Sequence, residues 1–417
     1  MLLISLTVAL GVVTAAAGQT AGAQPTTPAD CVTAARQFVL TQQRALKQVT
    51  AETVRQIEVE KVAMAQRCAA QFSVATMAEA ELPGLIALYG ESAQPLLAKA
   101  ALDRALGSKT LSTAIRAEVL AQAVGTGLRD DKSAARNATL ERYVDELDRL
   151  ELPGDALLDI KMATHGRMNG YYRGDDIDDG IIKHSTWLIT RGKTLTAAQR
   201  TKYGSLIISA HINMAEALAG RGQTPEAQAL LATARAGWGD VPNASRMLDP
   251  VIARYALVGT VGAPITAPRW LNAPANTTLP MTGGVTLLEF TAHWCVPCKE
   301  SYPGLKRLLA KYSPQGFRVV LATELYGYFG MERPLTAEAE FERDREYWAN
   351  VGLAVPIAVA NLRSAVDNPN DAAYNVGGIP QIHLLDRQGR IRLIMVGYDD
   401  ANEPFLASLI EKLLREK

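Results

Sequence analysis

The stretch Leu287-Leu288-Glu289-Phe290-Thr291-Ala292-His293-Trp294-Cys295-Val296-Pro297-Cys298-Lys299-Glu300-Ser301-Tyr302-Pro303 decides the fold. It starts inside an apolar run of buried-strand type, residues 285–290, passes through a C-x-x-C and continues as a helical pattern to residue 312. A C-x-x-C that opens a helix directly after a strand puts its first cysteine beside unpaired backbone N–H groups and the positive end of the helix dipole, which stabilise a thiolate. Cys295 is therefore the expected attacking sulfur. Cys298, one turn into the helix, is sheltered and placed to attack a mixed disulfide formed at Cys295, which releases the substrate. Pro297 limits the turn between them and brings no competing N–H.

Other chemistries of a C-x-x-C fit this chain poorly. A structural zinc site needs two more ligands; His293 is adjacent, but there is no second C-x-x-C, and Cys31 and Cys68 are more than two hundred residues away. Haem attachment needs a histidine after the second cysteine, where Lys299 stands. A peroxidatic cysteine needs a proton-accepting threonine in a fixed pattern, and the position three before Cys295 is Ala292. No metal and no cofactor is expected.

Working outward, residues 317–322, 382–385 and 391–396 are further strand-like runs, and residues 303–312, 337–350 and 402–416 are helical. Strands alternating with helices predict an α/β layer domain. Residues 28–257 read differently, with apolar positions at three- and four-residue spacing in an Ala, Leu, Gln, Glu and Arg background. Their clearest unit is a helical hairpin over residues 203–238, broken at Gly220-Arg221-Gly222 and restarted with Thr224 as expected N-cap and Pro225 at the first helical position. The pair resembles a tetratricopeptide-type repeat, and residues 85–124 have room for further hairpins without a constant period. Prolines 242, 250, 264 and 268, with Gly259 and Gly262, mark the change of texture. The expected organisation is an all-α domain at 24–256 and an α/β domain at 257–417.

From about residue 261 onward the chain resembles the thioredoxin superfamily and, within it, the TlpA/ResA-like group of exported thiol-disulfide oxidoreductases. The resemblance rests on the run quoted above, on Gly377-Gly378-Ile379-Pro380 before a strand, and on the hairpin Asp386-Arg387-Gln388-Gly389-Arg390-Ile391. It implies a thioredoxin-like fold in which the Ile379-Pro380 bond is cis, packs beside the cysteines and offers the Ile379 backbone to an incoming peptide, with Trp294 and Pro297 on the same substrate-facing side. The other reading of Pro380 is the start of an edge strand. The resemblance also makes Glu289 the buried acid that exchanges a proton with Cys298; alternatively Glu289 points outward from an edge strand. Many members carry Glu three residues after the second cysteine, whereas Ser301 stands here, with Glu300 beside it. The proton path is then expected to run through Glu289 alone. An extra segment around residues 331–375 brings Tyr326, Tyr328, Phe329, Tyr347 and Trp348 into play, either as a groove lining or as core.

The whole chain sets outer limits. Its 417 residues are 48% hydrophobic, and 43 basic residues balance 43 acidic ones, so no nucleic-acid partner is expected. Residues 1–23 read as a secretory signal with an apolar core and an Ala21-Gly22-Ala23 cleavage pattern, although no Lys or Arg precedes the core. The protein is expected to be exported, periplasmic or otherwise extracytoplasmic, and membrane-tethered if the signal is not cleaved. In such a compartment Cys31 and Cys68 form a structural disulfide if the chain turns near Thr50. If residues 31–71 are instead one continuous helix, the two lie roughly 55 Å apart at ~1.5 Å per residue and cannot bond. The acidic run 175–180 reads as a solvated turn, since Ile177 and Thr186 stand where calcium ligands belong. His165, His184, His211 and His383 read as structural residues.

The expected function is an exported thiol-disulfide oxidoreductase that reduces protein disulfides through Cys295 and Cys298, recharged by an upstream thiol electron donor. The competing expectation is a helical scaffold that binds a protein partner and carries a regulatory or oxidising thioredoxin-like module.

Overall fold

The computed structural model describes residues 25–46, 51–127, 133–174, 178–363, 368–398 and 403–416. The expected signal segment, Thr50 and residues 175–177 lie outside them. The chain divides into two compact units, one ending at Leu157 and the other starting at Leu158.

The first unit contains α1 (Pro28–Ala45), α2 (Ala51–Ala69), α3 (Leu82–Glu91), α4 (Pro95–Gly107), α5 (Thr113–Gly127) and α6 (Ala134–Arg149). Thr27 and Asp30 form a reciprocal capping box at the start of α1, with Pro28 in the first turn, where no N–H is missed. Fully buried Ala35, Ala65, Ala101 and Ala105 let helices approach closely around Leu82, Leu85 and Leu88. Cys31 on α1 and Cys68 on α2 are bonded, with Cα atoms 6.2 Å apart, so α1 and α2 are two helices and not one continuous rod. The cross-link closes a loop with a sequence separation of 37, which by chain entropy is worth about 3–4 kcal/mol. Cys68→Ser is accordingly expected to lower the first thermal transition and to speed tryptic cleavage within residues 25–157. Unchanged cleavage kinetics on reduction would contradict that.

The second unit opens with α7 (Leu158–Gly174), α8 (Asp178–Gly192), α9 (Ala197–Gly220), α10 (Thr224–Trp238) and α11 (Ala244–Ala256). The expected hairpin of residues 203–238 is α9 and α10, turning at Gly222 with φ +78°. Thr224 is not its N-cap. Gln223 holds that position without a side-chain hydrogen bond, and Thr224, buried, is already the first helical residue, one place too late to cap.

The strands follow: β1 (Ile265–Thr266), β2 (Arg269–Leu271), β3 (Thr278–Leu279), β4 (Val285–Phe290), then α12 (Val296–Tyr312), β5 (Phe317–Leu325), α13 (Ala337–Val351), β6 (Ile357–Leu362), α14 (Pro369–Ala373), β7 (Gln381–Leu385), β8 (Ile391–Val396) and α15 (Glu403–Arg415). β1 pairs with β3, and the main sheet has the order β2-β6-β5-β4-β7-β8. β4, β5 and β6 are parallel, joined by crossovers through α12 and α13, while β7 and β8 run antiparallel to their neighbours. All six residues of β4 are buried, as a central strand covered on both faces requires.

The two faces of β4 belong to different cores. Val285 and Leu287 pack with Leu305 and Leu308 of α12 and with Leu406 and Ile410 of α15. Leu288 and Phe290 face a second core that includes Ile207, Leu231, Leu248 and Tyr255 of α9, α10 and α11. The helical hairpins thus cover one side of the sheet, and α12 and α15 cover the other.

Candidate active site

β4 ends at Phe290, and Thr291 donates its N–H to the Ala322 carbonyl at the C-terminal end of this central strand, just before the cysteines. Cys295 is the N-cap of α12, and its sulfur accepts the backbone N–H of Cys298 at 3.2 Å. That bond, with Pro297 in the first turn, is the arrangement that stabilises a thiolate at this position. Cys295 and Cys298 are joined as a disulfide. Cys298 is fully buried and Cys295 nearly so, but Cys295 is flanked by residues that reach solvent: Trp294 is 40% exposed and Val296 64%, with Pro297 exposed beside them. An incoming thiol or disulfide meets Cys295 first.

Glu289 lies on the α12 side of the central strand, fully buried, with β5 and β7 as neighbours. The outward-facing, edge-strand reading therefore fails. Burial disfavours its charged form and pushes its carboxyl up to about 8, against a smaller opposing effect of the Ser301 hydrogen bond. Ser301 sits within 3.0 and 2.9 Å of the two Glu289 oxygens and 2.8 Å from the Cys298 carbonyl oxygen. One hydroxyl proton serves these acceptors in turn, so Ser301 is a link between the acid and the cysteine's backbone, whereas its sequence position marks it only as a missing glutamate. A short polar residue one helical turn beyond a resolving cysteine was the available signal.

The Ile379–Pro380 bond is cis. The Pro380 carbonyl accepts from Gly397, which anchors the loop to β8. Gln381 holds it from within: its Oε1 accepts from the Gly377 N–H, and its Nε2 donates to the Tyr374 carbonyl and lies 2.8 Å from His383 Nε2. His383 is buried, and desolvation lowers its pKa to about 3, so the imidazole is neutral and Nε2 is free to accept. Among the hydrogen bonds of the described residues, none engages the backbone of Ile379. The loop residue next to the dithiol is thus left available for strand-like pairing.

The helices also reach this site. A cavity of about 290 Å³ is bounded by Pro297 and Gly377 to Pro380 on one side and by Arg173, Glu216 and Arg254 on the other. Arg254, almost fully buried, pairs with Glu216 at 2.9 Å and donates to the Asn375 carbonyl at 3.2 Å. The second Glu216 oxygen pairs with Arg173 at 2.5 Å. A side chain at Gly377 would collide with the Arg254 guanidinium. None of these residues stood out in the sequence, because Arg and Glu are common throughout the helical region.

The aromatic segment is divided. Trp348 is core, packed edge-on against Tyr302, whereas Tyr326 meets Trp294 edge-on and, with Tyr328 and Phe329, surrounds His293. His165 and His184 form a buried pair with Nδ1 atoms 2.9 Å apart, and His211 bonds the Ile207 carbonyl; both arrangements are internal to the helices.

No family model matches the chain. The thiol-disulfide oxidoreductase ResA of Geobacillus kaustophilus is 30% identical over 115 residues, 28% of this chain and 56% of that protein. Protein DipZ of Mycobacterium bovis is 26% identical over 151 residues, 35% of this chain and 19% of that protein. The chain therefore spans about half of ResA and about a fifth of DipZ. Among solved structures, StoA of Bacillus subtilis matches with 18% identity and a TM-score of 0.25, covering 34% of this chain and 99% of that one. The strand order, the cysteine pair at the head of α12 and the cis-proline loop beside β7 give the α/β part of this chain a thioredoxin-like fold, and ResA-like thiol-disulfide oxidoreductases are among the proteins it is similar to.

Proposed function

We propose that this protein is an extracytoplasmic protein-disulfide reductase in which reduced Cys295 attacks a substrate disulfide and Cys298 resolves the mixed disulfide. The observation that carries the reading is the Cys295 sulfur at the head of α12, accepting the Cys298 N–H beside exposed Trp294, Val296 and Pro297. In each cycle the Cys295 thiolate bonds one substrate sulfur and expels the other as a thiolate. Cys298 then bonds Cys295, expels the first substrate sulfur and leaves the substrate as a dithiol. The two electrons come from the protein's own dithiol, which an upstream thiol donor must restore. The Cys31–Cys68 cross-link fits an oxidising compartment, and among the described residues no helix is long and apolar enough to cross a membrane. The relatives' names support thiol-disulfide exchange as the reaction class. Insulin reduction, followed as precipitation of the freed chain with dithiothreitol as donor, tests the activity. A reduction potential below about −200 mV is expected for a reductant, and a value near that of strong oxidants, about −120 mV, would reverse the direction.

The cavity between the cis-proline loop and the helices is the proposed path for the substrate peptide. Glu216→Ala leaves the Arg254 guanidinium buried and unpaired, so a loss of about 3–5 kcal/mol of stability is expected. Glutamine at the same position keeps the shape, and for it the expected result is a raised KM for a protein substrate with kcat little changed. Equal kinetics for Glu216→Gln and wild type would remove the helices from substrate binding.

A further inference from the structure

Beside the active-site loop, three ionisable side chains converge that thiol chemistry does not use. His293 leaves the active-site loop, and Glu340 and Asp344, one turn apart on α13, come toward it from the inserted segment; one ligand atom from each lies within 4.8 Å of the others. The site is dry. His293 and Asp344 side chains are 3% and 1% exposed, and Glu340 is fully buried. Phe329 stacks on the imidazole at 4.6 Å, with Tyr326 and Tyr328 edge-on.

Two of the three groups are unsatisfied. His293 Nδ1 is 3.3 Å from Asp344 Oδ1, within ion-pair distance, but both imidazole nitrogens and both Asp344 oxygens are buried without a hydrogen-bond partner. Such atoms cost about 1–3 kcal/mol each, so a natural protein that keeps several together points to a missing partner. Glu340 is different. Its two oxygens accept the Tyr326 and Gly327 N–H groups at 2.7 and 2.6 Å, which fixes the carboxylate and leaves each oxygen a lone pair.

We infer that His293, Glu340 and Asp344 form a divalent-cation site of the zinc type, separate from the dithiol. One imidazole and two carboxylates are a nitrogen and oxygen set suited to Zn²⁺, and they neutralise its charge with the imidazole uncharged. Bonds of about 2.1 Å put neighbouring ligands on a tetrahedral ion about 3.4 Å apart. The His293–Asp344 edge, at 3.3 Å, already has that spacing, and the remaining edges lie within 4.8 Å. Three protein ligands leave the fourth position for water. The ion would tie α13 of the insertion to the loop two residues before Cys295.

The test uses the full chain, stripped with chelator, with the dithiol kept oxidised, and a parallel Cys295→Ser/Cys298→Ser form that holds no active-site thiols. Zn²⁺ alone is titrated against a chromophoric competitor. One equivalent is expected in both forms, with affinity lowered at least tenfold in Asp344→Asn and His293→Gln. Co²⁺ substituted into wild type is expected to show ligand-field bands with no sulfur charge-transfer band, a readout that stands even if a variant misfolds. The inference fails if the oxidised wild type binds no stoichiometric Zn²⁺, if binding disappears with the cysteines, or if correctly folded Asp344→Asn and His293→Gln bind as wild type does.

Discussion

Cys295→Ser is expected to eliminate insulin reduction, with a fall of about 10³-fold or more, because a serine hydroxyl at the same helix terminus stays protonated and is a far weaker nucleophile. Cys298→Ala should behave differently. The α12 terminus still activates Cys295, whose sulfur still accepts the N–H of residue 298, since that bond comes from the backbone and not from the thiol. The first exchange proceeds, the second cannot, and the substrate stays bonded to Cys295. Mass spectrometry of the alkylated product is expected to find a one-to-one mixed disulfide that dithiothreitol releases. The opposite pattern, with substrate trapped on Cys298 in a Cys295→Ala form, would reverse the assigned roles; full burial of Cys298 argues against it. No insulin reduction in either wild type or Cys295→Ser would leave the helical-scaffold reading as the better one.

The parts of this design visible in the sequence are those set by local chemistry. The β4 run, the C-x-x-C, the Gly-Gly-Ile-Pro loop and the Asp386 hairpin each carry their geometry in neighbouring residues. At the hairpin, for example, Asp386 Oδ1 takes the N–H groups of Gln388 and Arg390, and Gly389 supplies φ +77°. Strand β6 was invisible because Ile357-Ala358-Val359-Ala360 is short and half alanine, and only its place beside β5 makes it a strand. The site residues that escaped notice are all long-range pairs. Ser301 reaches Glu289 across 12 positions and Arg254 reaches Asn375 across 121, while His293 meets α13 only because the insertion folds back. No spacing rule in one sequence joins such partners. The two alternatives at Cys31 and Cys68 were undecidable for the same reason, since both a hairpin and a long helix suit an unbroken amphipathic pattern.

Glu289→Gln is expected to produce the second large effect, and its sign can be derived. In the unfolded chain the carboxyl ionises near 4.5, whereas in the folded protein burial holds its proton up to about 8. Between those values the native state keeps a proton that the unfolded chain has released, so stability falls as pH rises through the window and levels off above it. At 1.36 kcal/mol per pH unit the whole window is worth at most about 5 kcal/mol. The substituted amide cannot ionise, so the variant is expected to lose this slope, and relative to wild type it gains stability on going from pH 5 to pH 8.5 in denaturant melts. Activity should move the other way. Cys298 must shed a proton to attack the mixed disulfide, and a buried carboxyl pushed up to about 8 holds a proton acceptor near working pH. Wild-type reduction should therefore rise with pH until about 8 as the Glu289 carboxylate forms. Glu289→Gln should lose that limb and about 10²-fold in rate, the usual contribution of a positioned proton acceptor. Ser301, bonded to both carboxylate oxygens, makes the distinction from mere packing: Ser301→Ala removes the hydrogen bond that lowers the Glu289 pKa, so the limb should persist but shift upward. A limb that stays in place in Ser301→Ala and survives in Glu289→Gln would assign the proton to some group other than this acid.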